Sequence, residues 1–370
     1  MVVSAWPEQP APDFAELERV LIGEQEPRRV HLVELGIDQE ILQAFSEHCL
    51  GRPWTIWTQP RIPAIEPPPA WYWAQVVTTL HRLGYDCVPV WPTWLHHPPP
   101  RRWLADDTAD LSSGQREWVD EQRGLISSWE EFEAFPWDEI RADTSACEHA
   151  AQCLPPGMKM TVSSTLFEHI IENLLGFRTT FRLLRRDRSL AAQVFGRWGE
   201  IVYDYYAAVI GLDKVGAIFH ADDLGFKTST LISPQDIRQF VVPWLKQYAT
   251  LAHAHGKTFW YHCCGNIYRH DLIEDLIEDV QIDAFHAFQE VILPVAEFKE
   301  RYGHRVATLG GVDVDSLARM EEAPLRQYVR GILGRCMPGG RFALGAGNSV
   351  TNYVPLRNYL AMIEEARRWG

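Results

Sequence analysis

Two hydrophobic periods alternate along this chain. Short apolar runs with strand-like patterning occupy positions 29–35, 87–91, 158–163, 217–222, 258–264, 284–289, 306–311 and 341–344, and predict eight β-strands. Between most of them apolar residues recur at helical spacing. These stretches predict helices over 70–83, 166–184, 190–210, 234–255, 267–277, 295–302 and 323–336, with a final helix over 355–369. Regular strand–helix alternation calls for a parallel sheet covered by helices. Eight such units within 370 residues favour a closed (β/α)8 TIM barrel over an open doubly wound sheet. No Gly-x-Gly-x-x-Gly follows the first strand, which removes the best marker of the open alternative.

The strand ends reinforce the barrel. Asp222-Asp223-Leu224-Gly225, His262-Cys263-Cys264-Gly265, Gly310-Gly311-Val312-Asp313 and Gly345-Ala346-Gly347-Asn348 all close apolar runs with small or polar groups. Barrel active sites form at such C-terminal ends. Two segments in the N-terminal third, 51–70 and 92–140, break the alternation and are rich in proline, tryptophan and charge. Long insertions of this kind serve as lids, oligomer contacts or irregular loops. The second carries a predicted helix over 114–123, and His96-His97 ahead of three prolines, read as a solvated loop rather than a metal site. Residues 1–27 form a separate N-terminal unit, with an amphipathic helix within 1–25 expected at the periphery, and residues 28–370 form the barrel.

Composition narrows the function classes. A formal charge of −14 argues against a nucleic-acid partner, which needs basic stripes. No apolar run approaches the roughly 20 residues that span a bilayer, so no membrane partner is expected. Residues 1–12 lack a basic stretch followed by an apolar core, which makes the cytoplasm the default location. Seven scattered cysteines are not a disulfide framework and fit reduced thiols. The 15 tryptophans mostly serve packing, with some available to line a pocket for a flat or apolar ligand.

The richest chemistry lies in the run 258–264. Strand side chains alternate, so His262 and Cys264 share one face and Cys263 takes the other. Imidazole and thiolate at i and i+2 can grip one soft divalent metal, usually zinc. The plainer reading is a buried strand with two inert cysteines. Alternation also sends only one of Asp222 and Asp223 inward. Asp222 is expected inside because it shares parity with His220 and Ile218, while Ser233 caps the helix that starts at Pro234. Glu168 beside Phe167, Gln289, and Trp91 with Trp94 follow other strand ends and are candidates to shape specificity.

These motifs together resemble a known family. His220-Ala221-Asp222-Asp223-Leu224-Gly225 followed by Leu231-Ile232-Ser233-Pro234 is similar to a signature of the uroporphyrinogen decarboxylase superfamily. His262-Cys263-Cys264-Gly265-Asn266 resembles the His-x-Cys-Gly-Asn motif of its corrinoid-dependent methyltransferase branch. Leu309 to Asp313, Gly347-Asn348-Ser349, Val354-Pro355, Asn358-Tyr359, Glu34 and Gly84-Tyr85-Asp86 match as well. The resemblance covers most of 28–370, is weak in the two insertions, and implies a TIM barrel. The Arg-Gln-Ala-Gly-Arg motif that clamps porphyrinogen carboxylates is absent, and the region reads His31 to Asp38 instead. A substrate with eight carboxylates needs convergent cations, so porphyrinogen decarboxylation is disfavoured.

The branch holds zinc with its histidine and cysteine plus a distant cysteine. Carried over, the metal set is His262 and Cys264, with the third position falling at Asn348. Amide oxygen is a poor zinc ligand beside thiolate. Asp222, Glu34 and His286 are therefore the catalytic candidates and alternative ligands. Trp91, Glu168, Asp223, Gln289 and Asp313 are the substrate-binding candidates. The resemblance implies a zinc-dependent methyltransferase acting on a small methyl donor, such as a methyl ether, or on a thiol acceptor. No Asp-x-His-x-x-Gly pattern is present, so a corrinoid would come from a partner protein docking over the barrel mouth. A metal-independent lyase acting on a small carboxylate, and a non-catalytic binding member, are the alternatives. Homo-oligomer formation is left open.

Overall fold

The computed structural model describes residues 10–57, 66–100, 102–112 and 114–369. Seven parallel strands form one curled sheet in chain order. They are β1 (Cys87–Val90), β2 (Lys159–Val162), β3 (Val215–Asp223), β4 (Thr258–Cys264), β5 (Ala284–His286), β6 (Ala307–Leu309) and β7 (Phe342–Ala343). The eighth stave, expected as a strand over 29–35, is an extended segment tied by single parallel bridges, Leu32 to Leu344 and Ile37 to Val350. On its other side, side chains make the joint with β1: His31 Nδ1 lies 2.7 Å from Asp86 Oδ2, Arg29 pairs with Asp86, and Trp91 donates to Leu35 O at 3.4 Å. The fold is the (β/α)8 barrel expected from the alternation, with a seam stitched by polar side chains.

Small residues make the barrel interior possible. Ala217, Ala221, Ala284, Ala307 and Ala343 face inward beside the bulky Phe219 and Trp260. Ile218, Phe259, Tyr261, Cys263 and Phe285 have the opposite parity and pack in the larger core under the helices. The N-terminal helix Phe14–Leu21, expected at the periphery, instead completes the interior core with Phe14, Leu17 and Leu21. The Phe14 ring stacks on Trp260 at 6.1 Å, and Phe14 N–H donates to Gly157 O at 2.9 Å. Gly216 makes room for that ring, since a Cβ there would sit 2.3 Å from it. The apolar stripe at i, i+3 and i+7 buries best against the open end of the barrel, at about 1.5–3 kcal/mol per large side chain.

Several expected elements differ in kind. Residues 114–123 form no helix: strand Gln115–Val119 pairs antiparallel with Arg102–Asp106, and Trp103 stacks on its partner Trp118 at 6.4 Å. A cross-strand aromatic pair outweighs weak helical periodicity in so short a segment. The helix expected over 166–184 divides into Phe167–His169, a π-helical turn Ile170–Leu174, and Gly176–Arg186. The insertion causes the break, because Gly124, Leu125 and Ile126 donate their amides to the carbonyls of Leu175, Asn173 and Leu174. The helix expected over 234–255 splits after Phe240, one turn before Pro243 removes a donor. Helices Gln39–Leu50 and Ser145–Cys153 were not expected. Of the 51–70 insertion, residues 58–65 lie outside the described residues. All seven cysteines are unbridged. Among the described residues no helix is long and apolar enough to cross a membrane.

Candidate metal centre at the barrel mouth

Strand β4 carries the site. Trp260 fills the barrel, so His262 and then Cys264 continue its inward face toward the C-terminal end, and Cys263 turns to the helix layer. The register sets His262 between Ala221 of β3 and His286 of β5, and sets Cys264 beside Asp223. The ligand atoms of Asp223, His262 and Cys264 all lie within 4.8 Å of one another. His262 Nε2 is 3.6 Å from Asp223 Oδ1 and 3.5 Å from Cys264 Sγ. The loops behind Asp223 and Cys264 touch at backbone distance. A Cβ on Gly265, whose φ is 103°, would lie 2.4 Å from Gly225 C, and Asn266 N–H donates to Phe226 O at 2.8 Å. That crossing requires glycine at 265, whereas at Gly225 a Cβ would meet Ser229 O at 2.7 Å within its own loop.

The inward aspartate is therefore Asp223, not Asp222. The parity expected for β3 is reversed, because Ala217, Phe219 and Ala221 line the barrel while Ile218, His220 and Asp222 face the helices. Asp222 is fully buried there. Its Oδ1 accepts from the amides of Leu166 and Glu168 at 3.0 Å each, and its Oδ2 is 3.2 Å from His220 Nε2. His220 in turn meets the Tyr206 hydroxyl at 2.8 Å. Asp222 shapes the loop after β2 rather than facing the mouth.

Glu34 is also turned away. Both its oxygens accept from Ala346 N–H at 3.1 Å, and Oε1 accepts from Tyr85 O–H at 3.2 Å. Burial pushes its pKa up to about 8. His286 lies behind His262: its Nδ1 is 2.6 Å from His262 Nδ1, and its Nε2 donates to Ala346 O at 3.0 Å. Both ring nitrogens are engaged, so His286 offers no atom to a metal. Asn348 does reach the cluster, as a donor. Its Nδ2 lies 3.1 Å from Cys264 Sγ, while its Oδ1, the atom that could ligate, accepts from Ser349 N–H at 2.7 Å.

Electrostatics divide the mouth. Burial, and then the Asp223 carboxylate, hold the Cys264 thiol well above its usual range. Burial raises Asp223 too, but its contacts with His262 and then with Cys264 outweigh it and leave Asp223 below the usual carboxylate range. Glu168, beside Asp223, is driven well up by burial and by that neighbouring charge. Glu172, one helical turn on, is raised to about 7 by burial, by Glu121 of the insertion and by Asp223. Sequence reading missed Glu121 and Glu172. The i, i+4 spacing of Glu168 and Glu172 was the available signal.

The remaining expected residues separate by position. Trp91 directly follows β1 and is exposed. The Gln289 amide oxygen, just past β5, is buried without a hydrogen-bond partner. Asp313 is a helix cap, with Oδ1 accepting from Ser316 N–H and Oδ2 from Glu290 N–H, both at 3.0 Å. Trp94 packs on Trp198 at 4.9 Å between rings. His97 is buried, not solvated. Its Nδ1 donates to Pro98 O at 2.6 Å and its Nε2 accepts from His169 Nε2 at 3.0 Å, which clasps the insertion to the helix behind Glu168. Burial lowers the His97 pKa to about 4, so the clasp is neutral.

No curated protein sequence matches the chain. Among solved structures, a methyltransferase from Methanosarcina mazei shares the fold with a TM-score of 0.64 at 14% identity, over 97% of this chain and 99% of that one. A sugar phosphate isomerase/epimerase from Parabacteroides distasonis aligns with a TM-score of 0.37 at 11% identity, over 78% of this chain and 85% of that one, too distant to bear on function. The family model for uroporphyrinogen decarboxylase matches residues 147–369, well over half the chain and every motif from β3 onward. With that match joined to the barrel and its strand-end motifs, the chain belongs to the uroporphyrinogen decarboxylase family.

Proposed function

We propose that this chain is a zinc-dependent methyltransferase of a corrinoid methyl-transfer system, acting on a small methyl donor such as a methyl ether. One observation carries the reading: the convergence of Asp223, His262 and Cys264 at the barrel mouth. Carboxylate, imidazole and thiolate are the donor types zinc accepts, and three protein ligands with an open position are the mark of a catalytic site. The shared fold with the Methanosarcina mazei methyltransferase supports the assignment.

When bound, zinc would act as a Lewis acid toward a methyl-bearing oxygen or a thiol. The chain's own residues prepare that role. His262 presents Nε2 to the mouth, Asp223 is held as a carboxylate, and the Cys264 thiol gives up its proton on ligation. A carboxylate where the resemblance expects a second thiolate gives a less electron-rich centre, which favours an oxygen donor over a thiol. Glu168, Glu172 and Glu121 already crowd acidic groups around Asp223, so further carboxylates are disfavoured there and the proposed substrate is neutral or cationic. Trp91 and the unpartnered Gln289 amide oxygen are the proposed substrate contacts.

A protein partner also fits the mouth. Phe226, Val291 and Tyr353 are 63%, 69% and 53% exposed in the loops after β3, β5 and β7, and the insertion after β1 exposes Trp103, Leu104 and Trp118. Large apolar side chains following four strand ends form a rim suited to docking a corrinoid protein. The seven unbridged cysteines fit a reducing cytoplasm.

Metal analysis joined to methyl-transfer assays tests the proposal. About one zinc per chain is expected, lost in His262→Ala, Cys264→Ser and Asp223→Ala together with methyl exchange to a methylated corrinoid protein. A metal-free protein with full activity would overturn the reading and favour the lyase alternative.

A further inference from the structure

We infer that His286 is a positioning residue that locks the ring tautomer of His262 and thereby decides which nitrogen His262 presents at the barrel mouth. The inference rests on reading His262 as a ligand, and follows from hydrogen-bond inventory alone. Ala346 O can only accept, so His286 Nε2, 3.0 Å away, carries a proton. His286 is fully buried and its two ring nitrogens meet a carbonyl oxygen and a second imidazole rather than a carboxylate, an environment that holds the ring neutral. A neutral imidazole has one N–H, so His286 Nδ1 is a bare lone pair. His262 Nδ1 lies 2.6 Å from it and must therefore be the donor. In the neutral His262 ring that leaves Nε2 unprotonated, and Nε2 is the atom that faces Asp223 and Cys264.

The acceptor at the far end is itself fixed. Ala346 N–H is held between the two oxygens of Glu34, so the seam of the barrel sets the carbonyl that orients His286. Gly310 makes the approach possible. At its φ of 81° a Cβ would lie 2.3 Å from Ala346 O and 2.8 Å from the His286 ring. The run Glu34–Ala346–His286–His262 thus leads from the closing stave to the mouth. Partners that fix a ligating histidine in this way are worth about 10–100-fold in metal affinity.

Nitrogen-15 NMR of histidine-labelled, metal-free protein tests the lock directly, with His262 signals assigned by their loss in His262→Gln. Wild type is expected to show His262 protonated at Nδ1 and bare at Nε2. His286→Leu, which can neither accept nor donate, is expected to shift His262 to the Nε2–H form and to weaken zinc binding about 10–100-fold. His286→Gln, able to accept at Oε1 and donate from Nε2, is expected to keep both the tautomer and the affinity. A wild-type His262 protonated at Nε2 overturns the inference without recourse to any variant. So does a folded His286→Leu with wild-type tautomer and affinity. If wild type takes up no zinc, the metal reading fails, and the tautomer spectra still decide the lock.

Discussion

Asn348 donates its side-chain amide to Cys264 Sγ across 3.1 Å, from the position where the family resemblance expects the third metal ligand, a second thiolate. A hydrogen bond to sulfur draws charge from it and leaves the cluster with one thiol in place of two. Asn348→Cys is therefore expected to add a ligand. Zinc affinity should rise at least tenfold, and the cobalt-substituted protein should gain a stronger sulfur-to-metal charge-transfer band. An unchanged spectrum would show that position 348 does not reach the metal.

Asp222 and Asp223, adjacent in sequence, should separate by experiment. Asp222→Ala strands two buried amides and His220, and should cost about 2–4 kcal/mol of stability in chemical denaturation. Asp222→Asn keeps an acceptor and should restore most of that stability together with activity. Asp223→Asn should leave stability nearly unchanged and lose metal. Activity lost in a stable Asp222→Asn would return Asp222 to the catalytic candidates.

Glu34 sets a pH dependence. Its folded pKa of about 8 lies above its ordinary value of 4.5, so the folded state holds a proton that the unfolded chain releases. The stability this costs is absent below pH 4.5, grows as pH rises, and levels off above about 8. Glu34→Gln accepts from Ala346 N–H without that cost. The stability of the variant relative to wild type should thus climb through this window by a few kcal/mol, at about 1.4 kcal/mol per pH unit. Parallel denaturation midpoints for the two proteins from pH 5 to 9 would contradict it.

Phe14 should matter far more than its place near the chain start suggests. Phe14→Ala removes the ring stacked on Trp260 and opens the barrel base, an expected loss of about 3–5 kcal/mol. A truly peripheral helix would lose under about 1 kcal/mol, so urea titration separates the two.

The apolar rim makes its own prediction. The double variant Trp103→Ala, Trp118→Ala should bind zinc like wild type, since the hairpin lies outside the cluster. Its methyl exchange with a corrinoid protein should fall through a raised KM for that protein. Equal KM values would remove the hairpin from the docking surface.

Much of this molecule was legible along the chain. The eight-unit alternation specified the barrel because strand and helix periods are local properties, written in which residues must be buried. The pairing of His262 with Cys264, and the exclusion of Cys263, followed from the two-residue strand period and holds in the structure. Helices such as Ala70–Leu83 and Val295–Tyr302 fall where their patterns and stops place them.

What sequence left undecided was which face of each strand is inside, and what each polar group meets there. Asp222 and Asp223 are equally good aspartates. Only packing decides, because the barrel interior admits the small Ala217 and Ala221 while His220 needs the helix layer and its Tyr206 partner. His286 looked like a spare ligand until the neighbouring staves brought Ala346 O and His262 Nδ1 to its two nitrogens. The N-terminal helix looked peripheral because its stripe is short, yet the open base of the barrel offered it a matching apolar surface. Period and composition set the elements from within short windows, whereas the roles of Asp223, His286 and Asn348 depend on atoms 24 to 84 residues apart, which only closure of the barrel brings into contact.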